Sequence, residues 1–454
     1  MRRIDMTKDI SRTQSVCPVC LQVVNANILQ GKDGNIYMQK RCPEHGVFTV
    51  LLWEGSMEEY LSWGTYANND DVITAPRPVD KGCPYDCGLC QGHQSNGCCV
   101  LLELTNRCNL SCPVCFADSG SQNEHDMTLR EISDQYDMLM DRGGPFNIQL
   151  SGGEPTLRDD LPEIIQLGRK KGFTFFQLNT NGIRLAEEKE YAHALKTAGL
   201  SCVFLQFDGF ANTTFMVLRG KLLLEIKQQA IEHCRQAGLG VILVPVIAPG
   251  ININEIGALL RFAVNQMPVV RGVHFQPVSY FGRCVLKNSA WRITIPRMLR
   301  EIEKQTKGCM KQSDFSGGGA ENPYCSFHAS YMRFSDRSLQ ALSPRYHQGC
   351  CIKASEARDF VARQWSGSNL EDLPIEKKCC KNSSMENTDS LDEFLVQAKE
   401  NTFTVSGMLF QDAYNLDLRR LRRCYICEVD STFGMVPFCA YNITDGKGKA
   451  LYRR

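Results

Sequence analysis

The chain has 454 residues, with 51 Lys and Arg against 50 Asp and Glu, for a formal net charge of +1. That balance offers no broad basic surface, so no nucleic acid partner is expected, and the length suits a large core with accessory regions. The outlying feature is 23 cysteines. In a short secreted domain such a count means disulfides. This chain is far longer than a stapled scaffold, and its start, MRRIDMTKDISRTQ, lacks the apolar stretch of a signal peptide. Its cysteines fall in short clusters (CPVC, CPYDCGLC, CNLSCPVC, CYIC) that suit metals better than disulfides. A cytoplasmic, reducing location is expected. No transmembrane segment is expected either, because the longest apolar run, residues 241–248, is short and broken by Pro245.

In chain order, residues 1–99 read as an irregular, cysteine-rich region with turn signals such as Lys32-Asp33-Gly34-Asn35. Cys17, Cys20, Cys42 and His45 follow a CX2C…CX2H pattern. Two knuckles presenting four soft ligands fit one tetrahedral ion, and both zinc and iron accept that set. Cys83, Cys87 and Cys90 follow CX3CX2C and suit an auxiliary [4Fe-4S] cluster. Its fourth ligand is sought among His93, Cys98, Cys99 and more distant cysteines.

Residues 100–308 alternate strand and helix patterns. Apolar runs at 100–105, 146–151, 174–179, 202–207, 241–246 and 273–277 predict six strands. One helix should start at the capping box Thr128-x-x-Glu131 and bury Leu129, Ile132, Tyr136 and Leu139. A second should start near Asp160 with Pro162 in its first turn, and a third should cover 222–237. Six alternating units mean a parallel sheet. The motifs fall at strand C-terminal ends, where barrel sites assemble, so the α/β fold expected is a partial (β/α)6 TIM-like barrel.

Cys108, Cys112 and Cys115 directly follow the first of these strands in a CX3CX2C loop. Three thiolates can ligate three irons of a [4Fe-4S] cube and leave the fourth iron open. The second strand ends in Ser151-Gly152-Gly153-Glu154-Pro155, where glycines permit close backbone approach and Glu154 can accept from an ammonium group. The third ends in Asn179-Thr180-Asn181-Gly182, polar groups suited to ribose hydroxyls. Arg219 can meet a carboxylate or lie solvated, and His274 and Tyr280 are unassigned residues near the sixth strand. Cys202 and Cys234 fit packing positions, whereas Cys284 and Cys309 stay undecided.

Residues 309–454 are again cysteine-rich, with Gly317-Gly318-Gly319 and the polar stretch 381–390 as loops. Cys424, Cys427 and Cys439 make a third ligand set, with Cys325, Cys350, Cys351, Cys379 or Cys380 as partner. A cluster or a structural thiol pair both suit it.

The CX3CX2C loop after strand one and GGEP after strand two resemble the signature of the radical S-adenosylmethionine (SAM) superfamily. The resemblance implies that Cys108, Cys112 and Cys115 hold a cluster whose open iron chelates SAM. It also implies that Gly152, Gly153, Glu154 and Pro155 hold the SAM amino group, that Asn179 and Asn181 lie near the ribose, and that Phe116 packs near adenine. Further segments (Cys17 to Cys20, Cys42 to His45, Gly82 to Cys90, Leu205-Gln-Phe-Asp-Gly209 and Phe275-Gln-Pro-Val278) are similar to the branch of the archaeal tetraether lipid synthases and dihydropterin-methylating relatives. The tail more resembles a bacterial radical SAM subgroup, some members of which carry selenocysteine. A rubredoxin-like iron at the first site and one or two auxiliary clusters are implied. So is an electron donor such as flavodoxin or ferredoxin.

Three functions follow. One is C–C bond formation or C-methylation of a small or lipid substrate. The second is maturation of a peptide or protein, and the third is a non-enzymatic iron–sulfur electron carrier. GGEP argues against the last, since a carrier needs no open iron.

Overall fold

The computed structural model describes residues 6–64, 73–74, 76–120, 126–286, 292–318, 321–342 and 401–453, with residues 358, 359, 362 and 365. Gly319, Cys350, Cys351, Cys379, Cys380 and the stretch 381–390 lie outside the described residues.

The N-terminal region is regular up to residue 64 and irregular among the described residues from 73 to 98. It opens with an antiparallel sheet of β1 Met6–Val16, β2 Val23–Gly31, β3 Ile36–Cys42 and β4 Gly46–Trp53. Its strands are hard to see in the sequence because they alternate: β2 buries Val24, Ala26, Ile28 and Leu29 between more exposed polar neighbours. Asp33-Gly34 closes a hairpin between β2 and β3, with Gly34 at φ 83° and Gly31 N–H donating to Asn35 O. Helix α1, Met57–Trp63, follows.

The central sheet contains the expected strands close to their expected limits. They are β5 Cys99–Glu103, β7 Asn147–Ser151, β8 Phe176–Thr180, β9 Cys202–Gln206, β10 Gly240–Val244 and β12 Val270–Pro277. The short β6 Val114–Cys115 and β11 Val246–Ile247 fall between them. Each of the six pairs in parallel with the next. Helices fill every crossover: α2 Leu129–Asp141, α3 Leu161–Lys170, α4 Ile183–Glu187 with α5 Lys189–Ala198, α6 Asn212–Arg219 with α7 Leu224–Gln236, and α8 Ile256–Asn265. A ninth helix, α9 Ile295–Gln305, follows β12 and the short β13 Arg283–Cys284. These are the expected α/β units on one parallel sheet, an arrangement consistent with a partial barrel.

The C-terminal region extends this sheet at both edges. Strand β16, Thr402–Met408, runs parallel to β12 and also pairs with β14, Ser326–Arg333, which pairs with β15, Leu339–Ala341. On the other edge β17, Ile426–Asp430, runs parallel to β5 and pairs with β18, Gly434–Pro437. A side-chain bond links the two flanks: the Tyr425 hydroxyl donates to Glu321 Oε2.

Helix α2 shows how local sequence sets a boundary. Thr128 Oγ1 accepts from Glu131 N–H at 3.2 Å, and Glu131 Oε2 accepts from Thr128 N–H at 2.7 Å. The helix buries Ile132, Tyr136 and Leu139 beneath the sheet. Replacing Thr128 by Ala removes the cap, and anaerobic urea unfolding should register a loss of about 1 kcal/mol.

Candidate active site

The cysteine loop runs from the end of β5 across the ends of β7 and β8. Gly153 N–H donates to Thr105 O at 2.7 Å and Glu154 N–H to Arg107 O at 2.9 Å, so the GGEP segment is stitched to the loop that leads into Cys108. A Cβ on Gly152, at φ 125°, would lie 2.3 Å from Thr105 O, and one on Gly153 would lie 2.2 Å from Arg107 O. The glycines therefore admit the chain itself, not only a ligand. Pro155 opens a single 3-10 turn, Pro155–Leu157.

Glu154 has a structural task that the sequence does not show. Its side chain is 1% exposed. Oε1 accepts from Thr156 N–H (3.2 Å), Thr156 Oγ1 (2.7 Å) and Thr180 Oγ1 (2.7 Å), and Oε2 accepts from Asn181 N–H (2.7 Å). The carboxylate thus binds the end of β7 to the end of β8. Asn181 in turn donates through Nδ2 to Asn109 Oδ1 in the cysteine loop, 2.7 Å away.

Behind the loop lies a charge network that sequence reasoning missed or misjudged. Arg219 is not solvated, although it borders the cavity. It is buried and bidentate to Asp208, with both contacts at 2.7 Å, and Nη1 donates to Val114 O at 3.2 Å. Lys227 is 0% exposed and donates to Asn181 O. Burial brings its pKa down to about 8. Its signal was a lysine on the core-facing stripe of α7, which also buries Ala230, Ile231 and Cys234.

Beneath the loop, a cavity of about 400 Å³ is lined by residues from each of the six parallel strands or the segments at their ends. Cys108, Cys112, Cys115, Phe116, Gly152, Gly153, Glu154, Asn179 and Asn181 all border it, as does His274. Three thiols on one loop, beside a cradle that a Cβ would fill, suit a three-cysteine cluster and its outside ligand. Burial pushes the Cys108 thiol up to about 11 and raises that of Cys112, so iron binding itself must displace these protons.

The other cysteines separate into distinct places. Among the described residues, Cys17, Cys20, Cys42 and His45 form the one group of His, Cys, Asp or Glu ligand atoms all within 4.8 Å of one another, between the β1–β2 and β3–β4 turns. His45 Nδ1 lies 3.7 Å from Cys17 Sγ and 3.5 Å from Cys42 Sγ. Burial opposes the Cys42 thiolate, but His45 and backbone amides outweigh it and bring the pKa to about 7. These four residues fit one tetrahedral zinc or iron. Cys83 and Cys87 share a hydrogen bond that lowers the first thiol's pKa and raises the second's. Tyr452 OH accepts from Cys87 N–H at 2.8 Å. His93 Nε2 is committed to Cys424 O at 2.8 Å, while Cys98 and Cys99 border the large cavity. Cys325, Cys424 and Cys439 border one small pocket beside Arg420, whereas Cys427 packs on β17 in the main core. Cys202 and Cys234 are packed in apolar clusters, Cys284 is buried and Cys309 exposed. Tyr280 packs against Tyr414 and Arg292.

Comparison with known proteins defines the class. Residues 102–263 match the Radical SAM superfamily model and residues 10–54 match the HMPTM N-terminal zinc ribbon domain. The chain is 34% identical over 476 residues to the 7,8-dihydro-6-hydroxymethylpterin dimethyltransferase of Methanocaldococcus jannaschii, covering 95% of this chain and 93% of that one. It is also 32% identical over 171 residues to a probable GTP 3',8-cyclase of Methanothermobacter marburgensis, covering 37% and 55% of the two chains. Among solved structures, Streptococcus suis SuiB bound to precursor peptide SuiA is similar at TM-score 0.40 and 14% identity, over 55% of each chain. This radical SAM enzyme, which takes a [4Fe-4S] cluster and SAM, belongs to the family of the dihydropterin dimethyltransferase. Among the described residues no helix is long and apolar enough to cross a membrane.

Two outcomes check this geometry. Gly153→Ala must displace the Arg107 carbonyl, so iron per chain after anaerobic reconstitution and SAM affinity should both fall severalfold. Cys42→Ser should remove one metal ion per chain by elemental analysis while leaving the iron–sulfur absorbance largely intact.

Proposed function

We propose that this enzyme performs C-methylation, or a related C–C bond formation, on a small planar heterocycle of the dihydropterin class. One observation carries the reading: the cavity that begins at Cys108, Cys112 and Cys115 sets a row of amide side chains, Gln149, Gln177, Asn179, Gln206 and Gln276, against aromatic ones such as Phe204, Phe281 and Phe438, which suits a flat ring with polar edges. Near full-length similarity to a dihydropterin dimethyltransferase supports the same choice.

In this proposal Cys108, Cys112 and Cys115 ligate the catalytic cluster within the 100–308 unit. Gly152, Gly153, Glu154 and Pro155 shape the seat of the SAM amino group. Asn179 and Asn181 lie beside the ribose, and Phe116 lies beside adenine. When bound, the reduced cluster and SAM supply a 5′-deoxyadenosyl radical. The chain's own work is to fix the reactants and exclude water. Glu154 and Asn181 hold the strand ends and the cysteine loop in register, and the aromatic residues Phe281, Phe410 and Phe438 line the cavity wall. Cys83, Cys87 and Cys90 hold an auxiliary cluster in the 1–99 region, beside the tetrahedral ion. Cys424 and Cys439 with Cys325 form a further thiol set in the 309–454 region, and Cys427 stands apart from it. A flavodoxin- or ferredoxin-type donor in a cytoplasmic, reducing setting supplies the electron.

Anaerobic incubation with SAM and dithionite, read by mass spectrometry, tests the chemistry. The wild-type enzyme should form 5′-deoxyadenosine, and S-adenosylhomocysteine beside it would assign the methyl donor to SAM. Cys112→Ala should abolish both, whereas Cys87→Ala should retain uncoupled SAM cleavage. Equal, total loss from the two substitutions sinks the division between catalytic and auxiliary clusters.

A further inference from the structure

Four barrel strands each carry one glutamine: Gln149 on β7, Gln177 on β8, Gln206 on β9 and Gln276 on β12. Parallel strands covered on both faces normally read as unbroken apolar sequence, so a repeated amide is a departure that needs a reason. All four side chains, with Asn179, border the cavity. Three amides join head to tail. Gln177 Nε2 donates to Asn179 Oδ1 at 2.7 Å, and Asn179 Nδ2 donates to Gln149 Oε1 at 3.2 Å. The chain fixes which way each amide is turned, and so fixes the pattern of donors and acceptors on this wall.

Further round the sheet, His274 Nδ1 lies 2.9 Å from Ser406 Oγ. Its ring centroid is 5.8 Å from that of Phe204 and 6.4 Å from that of Trp365. Burial brings the His274 pKa down to about 4 and lowers that of His328, so both rings are neutral at pH 7. Among the described lining residues the guanidinium groups are Arg219 and Arg283, and neither is available. Arg219 is paired with Asp208, and Arg283 bonds Asp118 and the carbonyls of Cys112 and Ser119. Both stand beside the cysteine loop. The lining carboxylates are Glu154 and Glu321, and the latter accepts from Ser326 Oγ and the Tyr425 hydroxyl. A phosphate drawn to the amide wall would lose its water with no free cation among the described lining residues to replace it. An uncharged ring with polar edges meets amides and aromatic faces instead.

We propose that Gln149, Gln177, His274 and Ser406 select an uncharged planar nitrogen heterocycle and reject its phosphorylated forms. The inference rests on the dihydropterin reading above and deepens it.

The test is equilibrium binding to the anaerobic holoenzyme, using 6-hydroxymethyl-7,8-dihydropterin and its diphosphate ester as probes. The free alcohol should bind at least about tenfold more tightly than the ester. Gln177→Leu and Gln149→Leu should each weaken the alcohol about tenfold, and Ser406→Ala, which does not bond the ribose-side Asn179, should weaken it while the SAM dissociation constant moves less than twofold. Ester binding as tight as the alcohol's overturns the proposal, as do amide variants that bind the alcohol like wild type. Binding of neither probe by the wild-type enzyme overturns the dihydropterin reading and the selectivity built on it together. The wild-type comparison stands even where a variant fails to fold.

Discussion

Glu154 is the point on which the rest of the site depends. A carboxylate this deeply buried is costly unless donors replace its water, and four donors do so here. Hydrogen bonds to a charged group contribute roughly 1.5–3 kcal/mol each, so the cluster of four is a firm junction. Through it the ends of β7 and β8 keep a fixed separation. Through Asn181 and Asn109 that separation passes to the cysteine loop. Lys227, pressed against the Asn181 carbonyl, completes the junction from behind with a buried positive charge.

A second buried pair does for β9 what Glu154 does for β7 and β8. Asp208 follows β9, grips Arg219 from α6 and also accepts from Val246 N–H at 3.0 Å. Arg219 then reaches the Val114 carbonyl inside the cysteine loop. A buried ion pair is weak evidence for stability by itself, because desolvation offsets attraction. Its value here is positional: three strand ends and one loop share two carboxylates, so a shift in one is felt by the cysteines.

The parallel strands and their motifs were legible because their signals are local. Continuous apolar runs mark buried strands, Thr128 and Glu131 mark a helix start, and the cysteine spacing marks the cluster loop. The N-terminal sheet was not legible as a sheet, because β1 carries mostly polar residues and Asn25, Asn27, Gln39 and Lys40 interrupt the apolar residues of β2 and β3. The structural tasks of Glu154 and its glycines were not legible for a different reason. Sequence reveals which residues can approach a ligand, but here the nearest groups are Thr105, Arg107, Thr180 and Asn181, brought together only by the fold. The amide row was visible in NIQLS, FQLNT, FLQFD and HFQPV, but one glutamine means little until four strands align.

The C-terminal region is a wall of the same cavity and not an appendage to it. Strand β16 lends Thr404 and Ser406, and the segments around it lend Phe410, Tyr425 and Phe438. That wall is anchored elsewhere by buried charge. Arg292 binds Asp412 at 2.9 and 2.7 Å, and Lys40 from β3 donates to Ser15 Oγ and to Ala413 O. Burial brings the Lys40 pKa down to about 7, so holding it protonated depends on the nearby Asp412. The N-terminal ribbon thus braces the segment that closes the cavity. The ribbon therefore meets the cavity wall through Lys40, which touches Ala413 beside Asp412, just after the strand that lines it.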